Sequence, residues 1–351
     1  MGQLSVLFIG GNGIISSACS RLAIERGIDL TLLNRGIDST RPPIDGAKTI
    51  VGDATDHASL RGALGDREFD VVVNFRGFVA PDIAEQVNIF RGRTSQYVFI
   101  SSAAAYHKPV RRLPITESTP LHNPFWQYAR DKIACERVLT DAYRDTDFPV
   151  TIVRPSHTYD QTLIPLDGGW TVIDRMRRGK PTVIYGDGTS LWTLTHHRDF
   201  AVAFTGLLGN PAAIGDTFQI TSDEALTWDA IAQCLASAAG TTADIMHVSS
   251  TAIAAALPDW GPGVLGDKAH SVVFDNSKIK SIVPEYRATI PFWRGAREIV
   301  DWYDEDERRR VVDPAVDAAL DRLVDAHEAT GFYPRTGRDR GLSAVGKERE
   351  A

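Results

Sequence analysis

The sequence predicts an α/β protein, a doubly wound parallel sheet followed by a smaller C-terminal lobe, on three observations. A short apolar run, Leu4-Ser-Val-Leu-Phe-Ile9, stops at Gly10-Gly-Asn-Gly13 and passes into a stretch of helical periodicity. Strand-like and helix-like segments then alternate as far as Pro155. Beyond Pro155 the alternation loosens and glycine-rich turns become frequent.

Taken in order, residues 4–9 are almost continuously apolar, as a strand covered on both faces requires. Ile14, Ile15, Ala18, Leu22 and Ala23 recur at helical spacing, which gives strand, tight turn and helix. Residues 30–33, 49–51, 69–73, 97–100 and 150–153 read as further strands, and 56–64, 81–91 and 124–143 as helices. Turns follow at Asp167-Gly-Gly169 and Gly186-Asp-Gly188, then a strand over 218–220 and helices over 227–238 and 292–302. The expected division is 1–160 with 194–222 as the sheet domain and 161–193 with 223–305 as the lobe. Residues 306–351 remain as a C-terminal helix and tail, charged and poor in large apolar residues, and expected to be mobile after about residue 336.

A chain of 351 residues buries one large core or two that share an interface. The net charge of -7 argues against a nucleic-acid partner, which calls for a basic surface. Cys19, Cys135 and Cys234 lie far apart with no CxxC pair, so neither a zinc framework nor a disulfide scaffold is expected and a reducing cytoplasm fits. The first apolar run begins almost at once, which leaves no room for a secretion signal ahead of it. No apolar stretch approaches the ~18 residues of a membrane span.

The turn Gly10-Gly-Asn-Gly13-Ile-Ile-Ser16 has glycine at the first two positions of a GxxGxxG-type pattern and serine at the third. Gly10 permits the sharp turn, Gly13 lets the backbone approach a pyrophosphate, and Ser16 keeps helix and strand close. Gly10, Gly13, Ile14 and Ile15 are therefore the expected phosphate contacts, at a helix N-terminus rich in free N–H groups. The next strand ends Leu33-Asn34-Arg35-Gly36, without the acid that would bind the ribose of NAD. A guanidinium suits a 2′-phosphate, which favours NADP over NAD with Asn34 and Arg35 at the ribose; a solvated loop charge is the alternative. Asp53, in Gly52-Asp-Ala54-Thr, stands where a carboxylate meets the adenine amino group, and would look the same as a turn-forming aspartate.

Tyr128-Ala-Arg-Asp-Lys132 puts a phenol and an ammonium one helical turn apart. A cation beside tyrosine lowers its ordinary pKa of ~10, so Tyr128 is expected to exchange a proton at working pH and Lys132 to hold the nicotinamide ribose as well. Ser102, in Phe99-Ile-Ser-Ser102-Ala-Ala-Ala-Tyr106, adds a hydroxyl at the carboxyl end of a parallel strand, where open α/β sheets bind ligands.

In this combination and order, over roughly residues 4–220, the motifs resemble the extended short-chain dehydrogenases/reductases of the NAD-dependent epimerase/dehydratase family. The resemblance implies a Rossmann domain with a substrate-binding lobe, and a catalytic set of Ser102, Tyr128 and Lys132. It places Asp53, Ala54, Asn74, Phe75, Arg76, Ser101, Pro155 and His157 at the cofactor, with Asn88 and His157 near the reacting centre. It also implies a homodimer paired through exposed helices. Dehydratases of the family carry an Asp-Glu pair where this chain has Ala103 and Ala104, which disfavours dehydration. Nucleotide-sugar epimerases offer an arginine where this chain has Trp192, which puts such substrates in doubt. Ala103, Ala104, His107, His157 and Trp192 are the substrate candidates, and His122 flanks them in sequence. His196 and His197, read as neighbours on a strand, point to opposite faces and suggest no metal site; His196 fits a structural histidine before Asp199. The expected function is an NAD(P)-dependent oxidoreductase or epimerase acting on a secondary hydroxyl of a sugar-like or polyol substrate. A second reading, a non-catalytic cofactor-binding or RNA-binding protein, follows from Asn34-Arg35-Gly36 and Tyr97-Val-Phe-Ile-Ser-Ser, which resemble the chloroplast stem-loop-binding branch of the superfamily. The acidic balance and the intact Ser/Tyr/Lys set count against it.

Overall fold

Seven parallel strands form the central sheet of the chain, whose computed structural model describes residues 2–36 and 41–330. The first half runs β1 (Ser5–Ile9), α1 (Ile14–Glu25), β2 (Asp29–Asn34), β3 (Lys48–Val51), α2 (His57–Leu64), β4 (Phe69–Asn74), α3 (Ala80–Phe90), β5 (Thr94–Ile100), α4 (Gln127–Thr146) and β6 (Val150–Pro155). The second half continues with β7 (His157–Tyr159), α5 (Trp170–Arg177), β8 (Thr182–Tyr185), β9 (Leu191–Trp192), β10 (Leu194–His196), α6 (His197–Leu207) and β11 (Asp216–Ile220). After these come β12 (Leu226–Thr227), α7 (Trp228–Ala238), β13 (Ile245–Val248) and α8 (Ser250–Ala256). The sheet order is β11-β6-β5-β4-β1-β2-β3, so the strand order reverses beside β1. Ile9 is in register with Leu33 on one side and Asn74 on the other, which brings the carboxyl ends of β1, β2 and β4 to one edge, the ligand-binding edge of such sheets.

The period-two alternation of β1 divides its side chains between two layers. Val6 and Phe8 pack with Ala18, Cys19 and Ala23 of α1 and Phe200 and Phe204 of α6. Leu7 and Ile9 pack with Leu60 of α2, Ile83 and Val87 of α3, and Cys135 and Leu139 of α4. A third core belongs to the lobe, where Trp170, Trp228, Leu235 and Ile299 bury together with Leu320 and Leu323 of the C-terminal helix Pro314–Ala329. That helix is clamped by Arg175, 1% exposed, whose guanidinium meets Asp317 at 2.5 Å and Asp321 at 2.7 Å. The expectation of a mobile tail after residue 336 falls outside the described residues.

Three expectations change. Ile279, Val283 and Tyr286, in and just after helix Ser277–Ile282, pack against the sheet domain through α6 and β11, although residues 223–305 were read as lobe. Their helical spacing offers an apolar face, and the sheet's last strand is there to cover. Helix α4 starts at Gln127 rather than at residue 124, because Asn123 Oδ1 accepts the Phe125 and Trp126 N–H groups at 3.1 and 3.3 Å and holds them in a turn. His196 and His197 do not share a strand: His196 closes β10 and caps α6, its Nδ1 accepting the Arg198 N–H at 3.2 Å, and His197 opens α6. The rings therefore lie near each other, 4.8 Å apart. His196 Nε2 meets Glu298 at 3.1 Å, and Asp199 accepts the N–H groups of Thr289 and Ile290.

Candidate active site

At the carboxyl edge of the sheet Gly10 has φ +86°, in the left-handed region, and a Cβ there would sit 2.5 Å from Arg76 Cγ. Gly13 ends the turn with its N–H donated to Ser16 Oγ at 2.7 Å; a Cβ on it would meet nothing else within 4 Å, so the space in front of the backbone is open. Ser16 is buried beneath it, while Ile14 and Ile15 open α1 half-buried, with the N–H groups of a first helical turn. Gly11 escaped the sequence reading. A Cβ at that position would lie 2.3 Å from Leu32 Cδ2, and only the doubled glycine hinted at it. The turn has the open approach and the donors that a dinucleotide phosphate requires.

Beyond it, Arg35 is exposed just after β2, and Asp53 follows β3. Asp53 Oδ1 accepts the Thr55 N–H at 2.9 Å and its hydroxyl at 2.7 Å, so the turn-forming alternative is present. Those bonds, then the nearby Arg35 and Arg76 guanidiniums, hold the Asp53 carboxyl below its ordinary range. Two cations and one carboxylate thus gather where the adenosine end of a dinucleotide would lie.

Several expected contacts are spent inside the protein. Asn74 Nδ2 donates to Gln86 Oε1 at 2.7 Å and Tyr97 Oη at 2.9 Å, and its Oδ1 accepts the Arg76 N–H at 2.7 Å. Phe75 packs edge-on against Phe8, ring centres 5.2 Å apart. Ser101 Oγ donates to Glu136 Oε1 at 2.5 Å, and Glu136 also binds Arg154 at 2.9 and 2.6 Å. These side chains shape the strand ends, and Arg76 in the same loop is exposed.

Ser102 follows β5, and its Oγ accepts the Ala104 N–H at 3.1 Å, capping the short turn Ala103–Ala105. Tyr128, in the first turn of α4, lines the same cavity as Ser102. The phenol pKa is raised, not lowered: burial is the main cause, the Ser102 hydroxyl offsets part of it, and the Asp267 carboxylate adds to it. The expected influence of Lys132 fails because its ammonium turns away to donate to Gly77 O at 2.6 Å and Ile100 O at 2.8 Å. It lies 5.8 Å from the Tyr128 ring centre and is flanked by the Phe78 and Phe99 rings at 4.8 and 4.9 Å. Burial brings its pKa down to about 8.

Ser102 and Tyr128 open onto a cavity of about 250 Å³ that Ala103 and Ala104 also line. Its far side comes from β7 and from the lobe: His157 on the first, Trp192, Asp267 and Phe274 on the second. Trp192 is 2% exposed and packs on Trp228, ring centres 5.1 Å apart. Its Nε1 and the Nε2 of His157, both buried, have no hydrogen-bond partner. Burial pushes the His157 imidazole down to about 4, so it is neutral near pH 7. Pro155 lines the same cavity, and Asp267 Oδ1 pairs with the buried Lys108 Nζ at 2.9 Å. His107 packs instead against His122 at a tilt, ring centres 5.3 Å apart, and neither lines the cavity. Asn88 is exposed on α3, donating to Glu85 Oε2 at 3.4 Å. Asp267 and Phe274 were missed, as no local motif marks residues that reach the site only through tertiary packing. Among the described residues, no three His, Cys, Asp or Glu side chains converge as metal ligands.

Residues 6–221 match the model of the NAD dependent epimerase/dehydratase family. The chain belongs to that family. Among curated proteins it is 26% identical over 250 residues to a chloroplast stem-loop binding protein of 41 kDa from Arabidopsis thaliana, covering 68% of this chain and 64% of that protein. It is also 26% identical over 231 residues to 2′-dehydrokanamycin reductase of Streptomyces kanamyceticus, covering 64% of each. The chain thus spans just under two thirds of these relatives' length. Among solved structures, an epimerase from Methanothermobacter thermautotrophicus superposes with a TM-score of 0.71 at 16% identity, covering 88% of this chain and 95% of that one. UDP-glucose 4-epimerase from Bifidobacterium longum, in complex with NAD+ and UDP, superposes with 0.69 at 18% identity, covering 87% and 99%. At these identities the structures establish the fold of the family member.

Proposed function

We propose that this family member binds NADP(H) and catalyses hydride transfer at a secondary alcohol, or the matching ketone, of a sugar-like substrate, as an oxidoreductase or an epimerase. The observation that carries the proposal is Ser102 and Tyr128 lining one cavity at the carboxyl edge of the sheet. When bound, the nicotinamide would give or take the hydride. Gly10, Gly13, Ile14 and Ile15 would hold its pyrophosphate, Arg35 and Arg76 a 2′-phosphate, and Asp53 the adenine. Ser102 positions the substrate oxygen, and Tyr128 Oη, kept as the neutral phenol by burial, gives its proton to that oxygen during reduction; in oxidation the phenolate form takes the alcohol proton. Lys132 keeps a positive charge beneath the site. With alanine at 103 and 104, the cavity wall there carries no acid–base pair for eliminating water. The name of the Streptomyces relative describes reduction of a dehydro sugar derivative, in keeping with this chemistry.

The test is a screen of free sugars, sugar phosphates, nucleotide sugars and polyols with NADPH and NADH, followed by nicotinamide absorbance and product analysis. A stoichiometric absorbance change indicates an oxidoreductase, and an inverted product without net change indicates an epimerase. Turnover that survives Tyr128→Phe would sink the proposal. Arg35→Ser is expected to raise KM for NADPH about tenfold while leaving NADH unaffected, the loss of one charge-assisted phosphate contact. Family analogy adds a cytoplasmic homodimer, checked by light scattering. The similarity to the stem-loop binding protein supports a second reading, RNA binding, for which stem-loop affinity retained at ~0.2 M salt is the criterion.

A further inference from the structure

We infer that Asp267 selects among substrates by charge: its carboxylate receives a hydroxyl or ammonium group on the sugar ring held at Tyr128 and turns away a carboxylate or phosphate at that position. The inference deepens the hydride-transfer reading, on which it rests for the presence of the ring. It concerns the group that meets Asp267, not the extent of the whole substrate.

Asp267 lies in a wide turn of π type, Val264–Lys268, closed by the Ala269 N–H on Val264 O at 2.8 Å. Both of its neighbours are tied down. Gly266 O accepts Asn123 Nδ2 at 2.8 Å, and the same amide group donates to Ala104 O at 2.9 Å, so one side chain joins this turn to the sheet wall. A Cβ on Gly266 would lie 3.0 Å from Trp126 Cβ; the glycine lets the turn approach the start of α4, where Tyr128 stands. On the other side Lys268 Nζ is held by Asp167 at 2.5 Å, and Lys268 O accepts Trp228 Nε1 at 3.0 Å. Asp267 is thereby fixed beside the reacting residues before a substrate arrives.

Its side chain is 19% exposed, and it lines the cavity with Ser102 and Tyr128. Its charge is felt by two other lining residues. After burial it is what raises the Tyr128 phenol, and it works against the burial and the Lys268 charge that push the His157 imidazole down. Lys108, its one ion-pair partner among the described residues, stands 2.9 Å from Oδ1 with a fully buried side chain, so a ligand meets the carboxylate and not the ammonium.

An ionised carboxylate only accepts hydrogen bonds. A hydroxyl or an ammonium placed against it gains a charge-assisted bond, about twice as strong as a neutral one. An anion there meets like charge. No lysine or arginine is among the described residues that line the cavity, and His157, held at about 4, supplies no cation near neutral pH.

The experiment measures sugar binding to the full chain with NADP+ by saturation-transfer NMR. The probes are methyl glucoside, its 2-amino and 6-amino derivatives, and methyl glucuronide, which together present a hydroxyl, an ammonium and a carboxylate on one ring. The native protein is expected to bind methyl glucoside or an amino derivative at least about tenfold more tightly than the glucuronide, the worth of one charge-assisted contact. Asp267→Asn should bring that margin within about twofold. Lys108→Met, which leaves the carboxylate without its counter-charge, should widen the margin of the amino derivatives severalfold. Asp267→Asn may not leave a buried ammonium unpaired without cost, so Lys108→Met/Asp267→Asn, which removes both charges, serves as the second variant and should match Asp267→Asn. The inference is overturned if none of the four probes binds, if the glucuronide binds as well as the others, or if the margin survives in the double variant. The expected order in a protein that transfers no hydride to any screened substrate would overturn the proposed function and leave this inference standing. Tyr128-dependent turnover with a KM that Asp267→Asn and the double variant leave unchanged would do the reverse.

Discussion

On the sheet side of the cavity Ser102 Oγ accepts the Ala104 N–H and Lys132 donates to two backbone carbonyls, whereas on the lobe side Trp192 Nε1 and His157 Nε2 have no partner. The sheet wall comes from strand ends and the start of one helix, and its polar groups are oriented before any ligand arrives, as the chemical step requires. The lobe wall comes from β7, β9 and the segment around Asp267. One wall is built for reaction and the other for selection, so substitutions on them should separate in kind.

The largest expected effect is on the sheet wall. Tyr128→Phe removes the proton carrier and keeps the ring, so kcat should fall by roughly three orders of magnitude, within the range of general acid–base catalysis. KM for the substrate found in the screen should stay within about twofold. A parallel loss of affinity would mean that Tyr128 also selects the substrate, and the distinction between the walls would break.

Next comes the support behind that wall. Glu136 lies one turn beyond Lys132 on α4 and is 3% exposed, accepting from Ser101 and holding Arg154 through both oxygens. Glu136→Ala leaves a buried guanidinium without its counter-charge, which should cost about 3 kcal/mol in urea unfolding. Glu136→Gln, which keeps one acceptor, should cost less. If neither moves the urea midpoint, the sheet wall is not held in advance by this network.

The same contrast explains what could be read from the sequence. The glycine turn, the apolar strands and the Tyr128/Lys132 spacing are local, because strand and helix periodicity writes them into neighbouring residues. Gly11 was hidden because its constraint comes from Leu32 on the next strand. The direction of the Tyr128 shift was misread for a related reason: helical spacing puts Lys132 on the right face, but the carbonyls of Gly77 and Ile100 decide where its ammonium points. Asn74 and Ser101 lie where the motif order put them, yet Gln86 and Glu136, both from other elements, take their side chains. On the lobe wall, Trp192 was flagged only as a departure from a family pattern. Asp267 gave no signal, since its role depends on Lys108, far away in the chain.

A third effect appears with pH. Burial lowers the Lys132 pKa from an ordinary 10.5 to about 8, so the native protein loses this proton as pH rises through about 8 while the unfolded chain keeps it until about 10.5. Between those values the unfolded state binds more protons, and this group makes the native state more stable as pH rises. Activity should move the other way if the charge under the site is needed, with kcat/KM falling about tenfold per pH unit above 8. Lys132→Met should abolish the rise in stability over that window. His157, neutral above about 4, should add no inflection between pH 6 and 7.5. An inflection there that disappears in His157→Phe would show that His157 titrates on the lobe wall and undo its description as neutral.

The smallest effect tests the lobe wall by stability. Ser102→Ala removes the bond from the Ala104 N–H and should cost about 1 kcal/mol, the ordinary worth of such a contact. His157→Phe replaces an imidazole whose buried Nε2 is unpaired with a ring of similar shape against Trp192, whose centre is 6.3 Å away. Removing an unsatisfied polar atom relieves its desolvation cost, so the urea midpoint should hold or rise, by up to about 1 kcal/mol in stability. A loss of stability comparable to Ser102→Ala would show that His157 has a partner inside the fold.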